Sequence, residues 1–86
     1  MKALFAAAAL AATLSPAALA DGRAPNAEEK AAIVDAMQTN GFSTWGKVEL
    51  DDGKWEIDDA VHKDGLVYDV DLKSGDYAMI KKERDR

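Results

Sequence analysis

The chain has 86 residues, no cysteine and one histidine, and its 16 acidic against 11 basic side chains give a net charge of −5 at pH 7. That acidic balance argues against nucleic acid and anionic membrane surfaces as partners. Without cysteine there is neither a disulfide nor a cysteine-borne lipid anchor, so a small domain must rely on its core, a partner or self-association.

Met1-Lys2 is a short positive start, residues 3–14 are an uncharged apolar run, Ser15-Pro16 breaks it, and Ala18-Leu19-Ala20 follows. Together they form the secretory signal pattern, with cleavage expected after Ala20. The run is shorter than the roughly 20 apolar residues a membrane span needs, so no stable anchor is expected. The mature protein, residues 21–86, is then periplasmic or secreted and reads as one domain, ordered over about residues 26–81.

Residues 21–25 read as a mobile polar lead-in. Asn26 follows as a helix cap, with Glu29 placed to reach back to it. Glu28 and Glu29 suit the positive end of the helix dipole. Ile33, Val34 and Met37 form a narrow apolar stripe with the stem of Lys30, and Asn40-Gly41 closes a helix over residues 27–39. Phe42 can fold back onto the last turn.

Asp51-Asp52-Gly53 is a tight-turn sequence between two runs of period-two character. It predicts strands over residues 45–50 and 54–61, with Val48, Leu50, Trp55 and Ile57 on one face and Lys47, Glu49, Lys54, Glu56 and Asp58 on the other. Alternation weakens at Asp58-Asp59-Ala60, where a bulge fits. After a turn at residues 62–65, a third strand spans 66–72, with Leu66, Tyr68, Val70 and Leu72 on one face and Val67, Asp69 and Asp71 on the other. A turn at residues 73–76 leads to a short fourth strand at 77–80. Residues 81–86 read as a charged tail that frays. The fold class is α+β: one N-terminal helix packed on a four-stranded antiparallel meander sheet, apolar on the helix side and acidic on the other.

The order of these features resembles the PepSY superfamily, and most of all its small secreted single-domain members. The helix ends in Gly41-Phe42, and a strand leads to Leu50-Asp51-Asp52-Gly53-Lys54-Trp55-Glu56-Ile57. Asp64-Gly65 then precedes Tyr68-Asp69-Val70-Asp71 and Ser74-Gly75. The fourth turn lacks the proline of the Asp-Pro-x-Thr-Gly pattern many members carry, with Leu72-Lys73 in its place. The resemblance implies a helix on an antiparallel sheet and a role outside the cytoplasm. In that setting such domains occur in propeptides of thermolysin-type metallopeptidases and in cell-envelope proteins. It also implies a protein partner, a peptidase being the leading candidate, with any inhibition acting in trans.

No catalytic set can be assembled. His62 reads as an exposed turn histidine without metal-ligating company. Ser43 and Thr44 have no base nearby in sequence. The run from Asp69 to Gly75 begins like a calcium loop, but Lys73 stands where an oxygen ligand is needed, the glycine comes late, and Ile80 replaces the closing glutamate. No cofactor and no specific metal site are expected. The expected interaction surface is the first sheet edge at Trp45 and Val48, with the acidic face around Glu49, Glu56, Asp58, Asp69 and Asp71. An open edge accepts a partner strand, and an exposed tryptophan favours an interface. The sequence thus reads as an exported, non-catalytic protein-interaction module that regulates or inhibits an envelope or secreted peptidase. The alternative is a periplasmic cation- or small-ligand-binding module using the acidic face.

Overall fold

The computed structural model describes residues 22–85; the expected leader, residues 1–20, lies outside them. The element order is α1 (Ala27–Thr39), β1 (Phe42–Thr44), β2 (Val48–Asp51), β3 (Lys54–His62), β4 (Val67–Lys73) and β5 (Met79–Arg84). The helix starts as its sequence dictates. The Glu29 N–H donates to Asn26 Oδ1 at 2.8 Å, and the Asn26 N–H donates to Glu29 Oε1 at 2.9 Å, which completes a capping box. At the other end, Asn40 Nδ2 donates to the Ala36 carbonyl at 2.7 Å.

All strand pairings are antiparallel, and β3 is the strand that organises them. The two-residue turn at Asp52 (φ 51°) and Gly53 (φ 78°) has positive φ at both positions, the geometry whose twist matches a hairpin. Leu50 then faces Trp55, and Val48 faces Ile57. On the other side of β3, Trp55 faces Leu72, Ile57 faces Val70, and Ala60 faces Tyr68. Three steps along β3 from Ile57 to Ala60 match only two along β4 from Val70 to Tyr68. The extra residue is a bulge with Asp59 at φ 53°. It reverses the alternation, so Ile57 and Ala60 are both buried while Asp58 and Asp59 are both exposed.

The bulge also divides the first strand. The sequence predicts one strand over residues 45–50; the sheet has β1 and β2 on the same side of β3, separated by residues 45–47. Across the break the Gly46 N–H donates to the Asp58 carbonyl at 2.8 Å, and the Asp58 N–H to the Lys47 carbonyl at 3.0 Å. A Cβ on Gly46 would stand 3.3 Å from the Asp58 carbonyl oxygen, so this close approach favours glycine. The five strands therefore fill the four positions of the expected meander.

Two further expectations are corrected at the ends. The charged tail does not fray; it is most of β5, whose Lys81, Lys82, Glu83 and Arg84 pair with β4. Lys82 lies beside Val70 on the helix side and sets its ammonium 5.0 Å from the centre of the Tyr68 ring. The lead-in is not mobile but bonded to the sheet edge: the Leu50 N–H donates to the Arg23 carbonyl at 2.9 Å, and the Gly22 N–H donates to the Leu50 carbonyl. Arg23 makes a two-pronged ion pair with Glu29, both contacts at 2.8 Å, and its guanidinium lies 5.3 Å from the centre of the Trp55 ring. That hydrogen-bonded pairing holds the Glu29 carboxyl below its ordinary pKa.

The core lies between α1 and the sheet. Ile33 and Met37 from the helix meet Phe42, Leu50, Trp55, Ile57, Ala60, Tyr68, Val70 and Leu72. His62, expected at the surface, has a side chain only 12% exposed. It packs edge-on against Phe42 and Tyr68 with ring centres 4.8 and 5.7 Å away. The Asp64 N–H donates to its Nδ1 at 3.1 Å, which leaves the proton of the neutral ring on Nε2, 3.1 Å from the Asn40 carbonyl. The Tyr68 hydroxyl donates to Asp64 Oδ2 at 2.7 Å. The histidine therefore links the helix C-terminus to the β3–β4 turn.

Asn26→Ala removes half of the capping box and is expected to lower unfolding free energy by about 1 kcal/mol. Glu29→Ala removes the other half and also breaks the pair with Arg23. In urea denaturation the double variant should lose less than the sum of the two single variants, because the substitutions share one hydrogen-bonded unit. Strict additivity would show that the box is not formed.

Candidate interaction surface

The expected docking edge is shaped by two events, the strand break and the return of the lead-in. In β2, Glu49 and Asp51 turn their peptide groups toward β3, while Leu50 turns its own outward, where Gly22 and Arg23 take them. Val48, two residues earlier, points its N–H and carbonyl the same way as Leu50 and has no backbone partner on that side among the described residues. The lead-in has left the edge by then, crossing through Ala24 and Pro25 to the helix cap.

The gap so created is a cleft of about 410 Å³. Ala24 and Pro25 wall one end, Lys30, Ile33 and Val34 of α1 form one side, and Trp45, Gly46 and Val48 form the other. Trp45 is half-buried and packs on the core while lining this opening. Trp45 and Val48, singled out in the sequence as an edge, thus meet at a concave surface. The sequence gives no sign of its other wall, because the helix residues that complete it read as ordinary core stripe and surface.

The acidic residues go elsewhere. Glu49, Glu56 and Asp71 stand opposite one another on three adjacent strands, on the side of the sheet away from α1, and Lys81 of β5 ends the row. Like charges directly opposite destabilise a sheet. Glu56 carries the consequence: partial burial, a hydrogen bond with Asp51 and the charges of Asp51 and Asp71 raise its pKa above the ordinary glutamate value, against a smaller opposing effect of Lys54. Asp71 is itself 9% exposed.

Asp58 and Asp69 do not join that row. Asp58 sits exposed on the bulge, beside the strand break. Asp69 instead approaches Asp59 and Asp85, with one carboxylate oxygen from each within 4.8 Å of the others. The bulge turns Asp59 toward Asp69, and Asp85, expected in a fraying tail, directly follows β5. The seven expected residues therefore divide among a cleft, an acidic row and the bulge region.

A helix laid on an antiparallel sheet is the architecture the sequence resemblance implies; the lead-in's partial closure of one edge is seen only in the structure. Residues 4–83 match the family described as peptidase propeptide and YPEB domain, PepSY_2. The match covers most of the chain, and the protein belongs to that family. Comparison with curated proteins and with solved structures finds no match. Among the described residues no helix is long and apolar enough to cross a membrane.

The raised pKa of Glu56 fixes the sign of its effect on stability. Its protonated form is favoured by folding, so its contribution is fully present below the ordinary glutamate pKa and is lost as pH rises through the raised value. At pH 7 the ionised side chain is a net cost. Glu56→Gln is expected to raise the melting temperature at pH 7, with the advantage shrinking as pH falls through the raised value and gone by about pH 4. Thermal melts of both proteins across pH 3 to 8 check this; a lower melting temperature for the variant at pH 7 would contradict it.

Proposed function

We propose that this protein is an exported, non-catalytic interaction module that regulates or inhibits an envelope or secreted peptidase, acting in trans. In this reading residues 1–20 are a cleaved leader and the working site is periplasmic or secreted. Membership of a family described by peptidase propeptides supports the class of partner. The observation that carries the docking site is the outward peptide edge of Val48 beside the cleft at Trp45. A partner segment laid along residues 45–48 gains main-chain hydrogen bonds from the edge and side-chain contacts from the cleft. Glu49, Glu56, Asp58, Asp69 and Asp71 give the neighbouring surfaces a negative field that favours cationic partners and speeds their encounter.

A second reading, cation binding, has one geometric feature in its favour, the approach of Asp59, Asp69 and Asp85. It requires calcium to raise the melting temperature of the protein and not that of Asp69→Asn, by mass action on the folded state.

The interaction reading is tested by titrating secreted and envelope peptidases with the pure protein and with Val48→Pro. The Val48 N–H faces outward, so proline there removes a donor to a partner while leaving the β2–β3 ladder intact. The inhibition constant should rise at least tenfold at a nearly unchanged melting temperature. A variant that inhibits as well as the parent would remove the edge from the mechanism. A parent that neither inhibits nor retains any peptidase would end the peptidase reading.

A further inference from the structure

We infer that the cleft beside Val48 is built to take the carboxyl end of a partner chain: a short extended segment with apolar side chains whose terminal carboxylate meets Lys30. This deepens the interaction reading and rests on it.

The cleft is blind at one end. The lead-in occupies the edge at Leu50 through Gly22 and Arg23 and then crosses to the helix cap, so Ala24 and Pro25 stand across the path of any strand added at residues 45–48. A partner segment cannot run on past Val48 in the plane of the sheet. A chain terminus fits such a site; an internal segment would have to turn sharply away. The lead-in itself shows that this edge accepts an added strand, since it already forms two main-chain hydrogen bonds there.

Charge decides which terminus. Lys30 is the one charged residue among those that line the cleft. It lies one turn into α1, with its N–H bonded to the carbonyl of the cap Asn26 at 2.8 Å, and so close along the chain to Pro25, which lines the same cleft. Its ammonium makes no ion pair among the described residues, although its neighbours Arg23 and Glu29 are paired with each other. In a chain of net charge −5, an exposed cation on the lining of an otherwise apolar cleft selects an anion. A terminal amine would be repelled; a terminal carboxylate gains a charge-assisted hydrogen bond. Ile33, Val34, Trp45 and Val48 supply the apolar walls for the residues that precede it. With its carboxyl end at Val48, the segment runs parallel to β2, where hydrogen bonds are slanted but evenly spaced.

The test uses two displayed libraries of random heptapeptides, one with free carboxyl ends and one with the carboxyl end fused to the carrier. Each is selected against the purified protein. Apolar sequences should be enriched from the free-end library alone. A selected peptide, synthesised as acid and as amide, should bind at least about tenfold more tightly as the acid. Lys30→Gln, a substitution on an exposed helix position, should abolish that difference without moving the melting temperature, and Val48→Pro should weaken both forms. Equal enrichment from the fused-end library, equal binding of acid and amide, or no enrichment at all would each overturn the inference. The two readings fail separately. Peptidase inhibition that survives Lys30→Gln but not Val48→Pro, with no enriched peptide, would keep the docking edge and discard the carboxylate. Acid-selective peptide binding without any peptidase inhibition would keep the carboxylate site and discard the peptidase.

Discussion

β3 hydrogen-bonds to strands on both sides, and it is one residue longer between Ile57 and Ala60 than β4 is between Val70 and Tyr68. Much of what distinguishes this domain follows from that mismatch. Side chains alternate with a period of two, so one extra residue exchanges the faces for everything beyond it. Here the exchange brings Ala60 and His62 onto the helix side, behind Trp55 and Ile57, and leaves Asp58 and Asp59 outside. The same bend interrupts the neighbouring strand at residues 45–47 and places Gly46 against the Asp58 carbonyl. A regular ladder would have carried residues 45–50 as one continuous edge. The irregular one opens a cleft there.

The two sheet edges are then treated differently. β5 carries Lys82 and Arg84 on the helix side and Lys81 and Glu83 on the other, which makes it a poor template for a further strand. The first edge is covered at Leu50 by the lead-in, held there through the chain Trp55, Arg23, Glu29 and Asn26. Glu29 serves two purposes in that chain, since one carboxylate closes the capping box and grips Arg23. That one side chain therefore ties the lead-in to the start of the helix. What is left uncovered is the short stretch at Val48 and Trp45, and it is concave because α1 overhangs it.

On the acidic side of the sheet, partial burial and the neighbouring Asp51 and Asp71 hold Glu56 above its ordinary pKa, while Lys47 reaches Glu49 at 3.4 Å. Three carboxylates opposite one another would be relieved by a lysine at any of the three positions, yet the only basic member of the row is Lys81 at its end. A small domain without disulfides has little stability to spare.

The sequence by itself determined the helix, the tight turn at Asp52-Gly53 and the division into an apolar and an acidic face. These depend on neighbours within about four residues: the cap at Asn26 and Glu29, two positive φ angles, and strict alternation in β4. It also marked the weak point at Asp58-Asp59 and the interest of Trp45 and Val48. It could not show that the charged tail becomes β5, because lysine, glutamate and arginine have little strand propensity and pair only because β4 offers its outer edge. Nor could it show the lead-in bonded to Leu50, or His62 packed half-buried against Phe42 and Tyr68. Those depend on contacts between residues more than twenty positions apart, or on a change of face decided by the bulge. The cleft is the clearest such case. Lys30, Ile33 and Val34 look in the sequence like part of an ordinary apolar helix stripe, and only the packing of α1 over a broken edge strand gives them a common purpose with Val48.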